Sequence, residues 1–453
     1  MSFSKPRLGV IGTGYVGLVS ATCFANLGFV VHAVDNDARK IEKLKQGVMP
    51  IYEQDLAALV AEGKTQSRLF FSTNLNEMVN SVDTIFVAVG TPPQAGGAVD
   101  LSYLQSVAIA LAPLLTEHRY IVIKSTDPVG TGRQFAAWLH EKNPKANFTM
   151  VSNPEFLREG MAIADFLQPD RIIIGVETQA ARQHMAAVYA PLAAHDVKVI
   201  FTDIASAELI KYASNGFLAT KIAYINEMAS LCQTVGANID HVIKGMGADK
   251  RIGPGYLQPG PGFGGSCFPK DTLALDHMGK TNGMSLSVIE GVIASNQRHK
   301  QRMVDNILQI IGPVKGKRLA IWGLAFKAGT DDTRESAAVF IIEVLLSAGA
   351  NVQVFDPIVT PEKWPLSSKA IKWCDSCDAT LKSADAVVIV TEWEIFKQFD
   401  WKNLQITVPI IDFRNLYSPE AMAHLGIAYY SLGRPSSQSK RFHNITAQVA
   451  HET

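Results

Sequence analysis

Cys267 ends a glycine-rich run, Gly262-Phe263-Gly264-Gly265-Ser266-Cys267-Phe268-Pro269-Lys270-Asp271, that offers a sulfur nucleophile beside a cation and a carboxylate. Glycine lets the backbone turn sharply and approach a ligand closely. An ordinary thiol is only a few per cent thiolate at neutral pH, and Lys270 is spaced to favour the ionised form. The plainer alternative is a small buried residue, the commonest fate of a cysteine outside a disulfide. Five cysteines (Cys23, Cys232, Cys267, Cys374 and Cys377) in 453 residues make no disulfide framework. Cys374 and Cys377 have CxxC spacing, but no second pair stands near them. They read as structural, and no metal site is expected.

A second constellation opens the chain. Gly12-Thr13-Gly14-Tyr15-Val16-Gly17 follows a short apolar run at 8–11 and precedes a helical pattern closed by Gly28. A GxGxxG in that context, with Asp35 after the next apolar run, is a dinucleotide fingerprint rather than a glycine-rich structural turn. The glycines let a pyrophosphate reach backbone N–H groups at the helix start, and Asp35 would accept from the ribose hydroxyls. A carboxylate there repels a 2′-phosphate, and Asn36-Asp37 supply no arginine, so the cofactor expected is NAD rather than NADP. Further apolar runs at 84–89, 120–124 and 150–152 lead into Thr91, Thr126 and Glu155. Topology alone puts these at the carboxyl ends of strands, beside the crevice. In the helical pattern over 206–235, Lys211 and Asn215 are four apart and share a face. For Lys211 the plainer alternative is a solvated surface lysine.

The elements that must position these residues make an α/β protein: two Rossmann-like doubly wound domains joined by a central helical region with a long helix. The expected boundaries are 1–203 for the NAD-binding domain, 204–312 for the helical region carrying the cysteine loop, 313–433 for the second α/β domain, and 434–453 for a polar tail. Three domains suit the length at roughly 150 residues each. The second α/β domain begins with a strand at 318–323, but Gly323-Leu324-Ala325-Phe326 lacks three-glycine spacing and is not a second NAD site. Forty-two basic residues balance forty-two acidic ones, which argues against nucleic acid or an anionic membrane as the main partner. The start of the sequence has no signal-peptide pattern and no apolar stretch is long enough to span a bilayer, so the expected location is cytoplasmic.

Taken together, the motifs resemble the UDP-glucose/GDP-mannose dehydrogenase family. The matching segments are 12–17, Ser152-Asn153-Pro154-Glu155-Phe156-Leu157-Arg158-Glu159-Gly160, 262–271, Gly323-Leu324-Ala325-Phe326-Lys327 and Asp332-Thr333-Arg334-Glu335-Ser336. The resemblance runs from Gly12 to Arg414. It implies two successive oxidations of a sugar C6 alcohol, with UDP-glucose as donor and two NAD reduced. GDP-mannose or a UDP-N-acetylhexosamine are the rival donors. The thiol has a chemical reason. The first oxidation leaves an aldehyde with no carbinol to oxidise. Addition of Cys267 restores one as a thiohemiacetal, whose oxidation gives a thioester for hydrolysis. A one-step hydroxyacid dehydrogenase on the same fold, or an NAD-binding regulator, would not need Cys267.

By the same resemblance, Lys211 and Asn215 stabilise the oxyanion, Asp271 orients a water with Thr126 or assists proton removal, and Glu155 serves thioester hydrolysis. Which group is base in which step stays open. Gly12, Gly14, Tyr15, Val16 and Gly17 meet the cofactor pyrophosphate, and Asp35 and Lys40 its ribose. Thr91, Thr126 and Glu159 lie along it, with Arg334 reaching it from the second α/β domain. Glu155, Phe156, Leu157, Lys211, Asn215, Tyr256 and Gly264 bind substrate, with Lys327 near the diphosphate and Arg414 at the pocket wall. Arg251 matches an arginine that reaches a neighbouring subunit's active site, which implies a homodimer or larger. One departure stands beside Thr126: the family has valine where this chain has Asp127, which could weaken a nearby thiolate, strengthen local hydrogen bonding or point to solvent.

Overall fold

A computed structural model describes residues 5–402, 404 and 407–435, so the polar tail expected at the end lies outside the described residues beyond Pro435. The chain forms two compact units. The first runs to Ser214 and takes in Leu273–Met284; the second holds Asn215–Thr272 and the chain from Ser285 on.

Eight strands build the sheet of the first unit: β1 (Leu8–Ile11), β2 (Val31–Val34), β3 (Leu69–Ser72), β4 (Thr84–Val87), β5 (Arg119–Ile123), β6 (Phe148–Ser152), β7 (Arg171–Val176) and β8 (Lys198–Thr202). Their order is β3-β2-β1-β4-β5-β6-β7-β8. All neighbours pair in parallel except β6 and β7, which run antiparallel with Val151 opposite Val176. The central strands are continuous apolar runs because helices cover both faces. Within β4, Phe86 packs with Phe24 and Phe166 on one face, while Ile85 and Val87 pack with Leu104 and Phe135 on the other. The strand order reverses between β1 and β4. The segments bearing Gly12, Thr91, Thr126 and Glu155 all leave carboxyl ends of β1, β4, β5 and β6, where open sheets of this kind take ligands.

The long helix expected from the sequence spans Ile204–Val235 and carries Lys211 and Asn215 one turn apart. In the second unit the sheet comprises β9 (Arg318–Trp322), β10 (Asn351–Phe355), β11 (Ile371–Trp373), β12 (Ala386–Ile389), β13 (Ile410–Asp412) and β14 (Tyr429–Ser431). These are all parallel, in the order β11-β10-β9-β12-β13-β14. It repeats the order of the first six strands of the other sheet. At the end of β10, where a dinucleotide fold carries its ribose acid, Asp356 is consumed by its own surroundings. It accepts from the Leu324 and Ala325 amides (2.8 and 3.2 Å), from Trp393 Nε1 (3.0 Å), and from the Ile358 and Val359 amides (both 2.9 Å). Among the described residues, no helix is long and apolar enough to cross a membrane.

The second core is anchored by Trp322, which is fully buried, stacks on Trp401 at 5.2 Å between ring centroids and donates Nε1 to Thr380 Oγ1 at 2.8 Å. Trp322→Ala is expected to cost about 3–5 kcal/mol through the cavity and the orphaned hydroxyl. Urea unfolding followed by circular dichroism checks this.

Candidate active site

The turn after β1 shows what each glycine is for. A Cβ on Gly17 would stand 1.9 Å from the Gly12 carbonyl oxygen, so the turn and helix Tyr15–Asn26 meet only without a side chain. A Cβ on Gly14 would meet nothing within 4 Å, so the backbone at the helix start faces open space. That is a cradle of N–H groups that fits a pyrophosphate, and the residues present suit NAD. Asp35, at the end of β2, accepts from Thr13 N and Oγ1 and from Lys40 Nζ, all at 2.8 Å, through Oδ2; Oδ1 accepts the Asp37 amide at 3.0 Å. Oδ1 keeps capacity for a ribose hydroxyl. Burial pushes the Asp35 carboxyl up, but Lys40, Asp37 and Thr13 outweigh it and hold the group below the usual carboxylate range.

Glu53, which nothing in the sequence marks, ties this turn to the segment carrying Glu155 and Glu159. It accepts the Tyr15 hydroxyl, the Gly160 amide at 2.7 Å and the Ala162 amide at 2.8 Å. Burial, with the Glu53 carboxylate next in weight, pushes the Tyr15 phenol far up, so it stays a donor. Thr91 Oγ1 donates to the Thr126 carbonyl at 2.9 Å, bringing two predicted residues together. Asp127 is only 4% exposed, which rules out the solvent-facing reading.

Lys211 is not a surface lysine. It is 3% exposed, and its Nζ lies 3.2 Å from Oε1 of the equally buried Glu155. The Leu157 amide donates to Glu155 Oε2 at 2.6 Å. The Phe156 ring lies under two cations, with the Arg171 guanidinium 3.7 Å and the Lys211 ammonium 5.3 Å from its centroid. Desolvated cations over an aromatic face gain from its quadrupole.

In the second unit, the glycine run is docked on 332–336. A Cβ on Gly264 would lie 2.3 Å from the Glu335 carbonyl oxygen. Gly265 has φ +82° and donates its amide to the Arg334 carbonyl at 2.9 Å. Cys267 follows at the start of helix Phe268–Thr281, its carbonyl accepting the Asp271 amide at 2.8 Å. The positive end of that helix favours a thiolate. Ser266 Oγ is 3.6 Å from Sγ. Lys270 is ion-paired with Asp271 Oδ1 at 2.8 Å, and Asn215 Nδ2 donates to Asp271 Oδ2 at 2.6 Å.

Other predicted residues gather around the same loop. Arg414 donates to the Val390 and Phe326 carbonyls (2.8 and 2.9 Å) and closes on Gly260, where a Cβ would sit 2.9 Å from its guanidinium. The Lys327 ammonium lies 5.7 Å from the Phe326 ring centroid. Tyr256, at φ +62°, sets its ring edge to face with Phe268. Arg334 pairs with Asp332 at 2.6 Å. Arg251 stands apart: its guanidinium is exposed and bound by Asp249 at 2.6 Å.

Helix Ser287–Ile311 contributes a buried polar strip that the sequence reading missed. Asn296 accepts the Phe263 amide (2.9 Å) and donates to the Phe263 carbonyl (3.0 Å). His299 Nε2 donates to the Gly260 carbonyl at 2.7 Å, and Lys300 Nζ to the Glu335 carbonyl at 3.1 Å. Three polar residues at i, i+3 and i+4 on a face that should be apolar were the available signal.

Comparison with known proteins follows the same segments. The sequence model of the UDP-glucose/GDP-mannose dehydrogenase family matches in three parts: its NAD binding domain over residues 6–193, its central domain over 205–298 and its UDP binding domain over 320–419. The chain is similar to the UDP-glucose 6-dehydrogenase of Rickettsia conorii, 44% identical over 428 residues that cover 93% of this chain and 98% of that protein. It is equally similar to that of Rhizobium meliloti, 44% identical over 439 residues covering 95% and 100%. Among solved structures, a UDP-glucose dehydrogenase from the hyperthermophilic archaeon Pyrobaculum islandicum superposes with a TM-score of 0.89 at 34% identity, covering 96% of this chain and 98% of that one.

Burial pushes the His299 imidazole down from 6.5 to about 4, so it folds neutral and donates from Nε2. The unfolded chain binds this proton first as pH falls. The contribution is therefore complete above pH 6.5 and is lost progressively down to about 4. The expected loss is about 3 kcal/mol. His299→Gln should flatten this dependence, as read from chemical unfolding at stepped pH.

Proposed function

The chain belongs to the UDP-glucose/GDP-mannose dehydrogenase family, and from that premise we propose that it takes UDP-glucose to UDP-glucuronate by two oxidations at C6 through a Cys267 adduct. It is an oxidoreductase that uses NAD and oxidises UDP-glucose. Bound NAD supplies the hydride acceptor for each oxidation. The observation that carries the thiol step is the placement of Cys267 at a helix start, behind a glycine run that tolerates no side chain.

The first oxidation converts the C6 alcohol to an aldehyde. The Cys267 thiolate then adds to the aldehyde carbon, forming a C–S bond and an oxyanion. Lys211 and Asn215 stabilise that oxyanion, which a desolvated ammonium does far better than water. Oxidation of the thiohemiacetal gives a thioester. Glu155 assists water attack on it, the C–S bond breaks and the thiolate leaves. Asp271, held by Lys270 and Asn215, orients a water or assists proton removal. Gly12, Gly14, Tyr15, Val16, Gly17, Asp35, Lys40, Thr91, Glu159 and Arg334 hold the dinucleotide. Phe156, Leu157, Tyr256, Gly264, Lys327 and Arg414 hold the sugar nucleotide. Arg251, exposed and paired with Asp249 in this chain, reaches the site of a second copy, so the working form is a homodimer or larger. The relatives' names favour UDP-glucose over GDP-mannose or a UDP-N-acetylhexosamine.

Purified protein is expected to form two NADH for each UDP-glucose consumed, measured by absorbance against sugar-nucleotide chromatography; a ratio of one excludes the double oxidation. Cys267→Ser should lower net turnover by on the order of a thousandfold and leave a stalled covalent or aldehyde-level species visible by mass spectrometry.

A further inference from the structure

One buried carboxylate has no part in the chemistry above. Glu208 lies on the long helix, one turn before Lys211, and is 6% exposed. Its Oε2 accepts the Gly130 amide and its Oε1 the Gly132 amide, both at 2.7 Å. Those amides open helix Thr131–Lys142, whose N-cap is Gly130 and which therefore has no side chain of its own to cap it. The two helices meet closely. A Cβ on Gly132 would stand 2.9 Å from Ile204 Cγ2 and 3.2 Å from Glu208 Oε1. A Cβ on Gly175 in β7 would stand 2.8 Å from the Asp203 carbonyl oxygen, so the start of the long helix also rests on the sheet.

The turn that Glu208 grips is the one that leaves β5 with Thr126. The Thr126 carbonyl accepts from Thr91 Oγ1 at 2.9 Å, and four residues on, Glu208 takes the Gly130 amide. Between them the Pro128 carbonyl accepts the Thr131 amide at 3.1 Å and the Thr131 hydroxyl at 2.7 Å. The turn is thus held at one end by the loop after β4 and at the other by the helix of Lys211. A helix start is ordinarily completed by a serine, threonine, aspartate or asparagine at the N-cap itself, worth about 1 kcal/mol. A carboxylate brought from 78 residues along the chain must first leave water. That cost shows on Glu208: burial pushes its carboxyl above the usual range, the Gly130 and Gly132 amides and Arg133 oppose the rise, and Asp203 adds to it. A local cap would spare the cost, but it would not join two elements. One oxygen on each amide fixes direction as well as distance.

We propose that Glu208 is a positioning residue for the reaction: by bridging the Gly130 and Gly132 amides it locks the Thr126 turn to the helix that presents Lys211. This rests on the oxidation assigned above, in which Lys211 serves the oxyanion. An oxyanion contact acts in the transition state, so loosening the lock lowers kcat rather than the affinity for the sugar nucleotide.

The test uses the full chain with UDP-glucose and NAD⁺, comparing wild type, Glu208→Gln and Thr178→Ala at a temperature where circular dichroism shows all three folded. Glutamine keeps the size but sets its NH2 group against one of the two amides, so only one stays satisfied. Glu208→Gln should lower kcat about tenfold or more and hold the UDP-glucose KM within about threefold. Thr178→Ala is the control for lost capping alone. Thr178 Oγ1 accepts the Ala181 amide at 3.2 Å and caps helix Gln179–Ala193 from its own N-cap position. Its loss should lower the melting temperature and leave kcat within about twofold of wild type. The proposal is overturned if kcat in Glu208→Gln stays within about threefold of wild type, if the loss falls on the UDP-glucose KM instead, or if Thr178→Ala loses kcat equally. Should Glu208→Gln fail to fold, Glu208→Asp decides. It keeps the charge but is one methylene too short to hold both amides, so its kcat should fall at least about threefold at an unchanged KM, and a smaller fall overturns the proposal. Absence of UDP-glucose turnover in the wild type would instead strike the assignment on which it rests.

Discussion

Peptide oxygens occupy the positions that side chains would need, and both chemical ends of this protein depend on that. The Gly12 oxygen fills the place of a Cβ on Gly17, and the Glu335 oxygen that of a Cβ on Gly264. No rotamer change relieves a clash with backbone, so each contact fixes its turn closely. From the first follows the start of helix Tyr15–Asn26 and its exposed N–H groups. From the second follows the start of helix Phe268–Thr281 and the placement of Cys267. Glu53 on one loop and Asn296, His299 and Lys300 on the other hold what the glycines permit.

Buried charge is the second theme. Replacing buried ion pairs with apolar groups often leaves stability unchanged or improves it, so their presence points to work beyond stability. The Lys211–Glu155 and Lys270–Asp271 pairs both involve residues to which the proposed mechanism gives chemical roles, Lys211, Glu155 and Asp271. Each carboxylate has a neutral donor as well: the Leu157 amide for Glu155 and the Asn215 side chain for Asp271. A carboxylate with a second, uncharged partner stays oriented when its cation moves.

Much of this was legible in the sequence because glycine and periodicity are strong signals. The Gly12 turn, Asp35 and the long helix, expected over 206–235 and observed over Ile204–Val235, follow from spacing alone. The short edge strands β3, β11 and β14 were not legible, since three or four residues carry too little period. Helix Phe268–Thr281 was not legible because Pro269 and the glycines mask it, although proline is tolerated in a first helical turn. The depth of Lys211, Glu208 and Glu53 was hidden for a different reason. Residue type predicts exposure for lysine and glutamate, and only tertiary packing overrules it. The same packing commits Lys270 to Asp271.

The two sheets share a strand order, yet their acids have parted ways. Asp35 retains an oxygen with room to accept, whereas every oxygen of Asp356 is occupied by amides and the Trp393 indole. Restoring three glycines after β9 would not turn that half of the molecule into a coenzyme binder. An engineer would also have to pry the acid away from its own backbone, and the loop it laces together would come undone in the attempt.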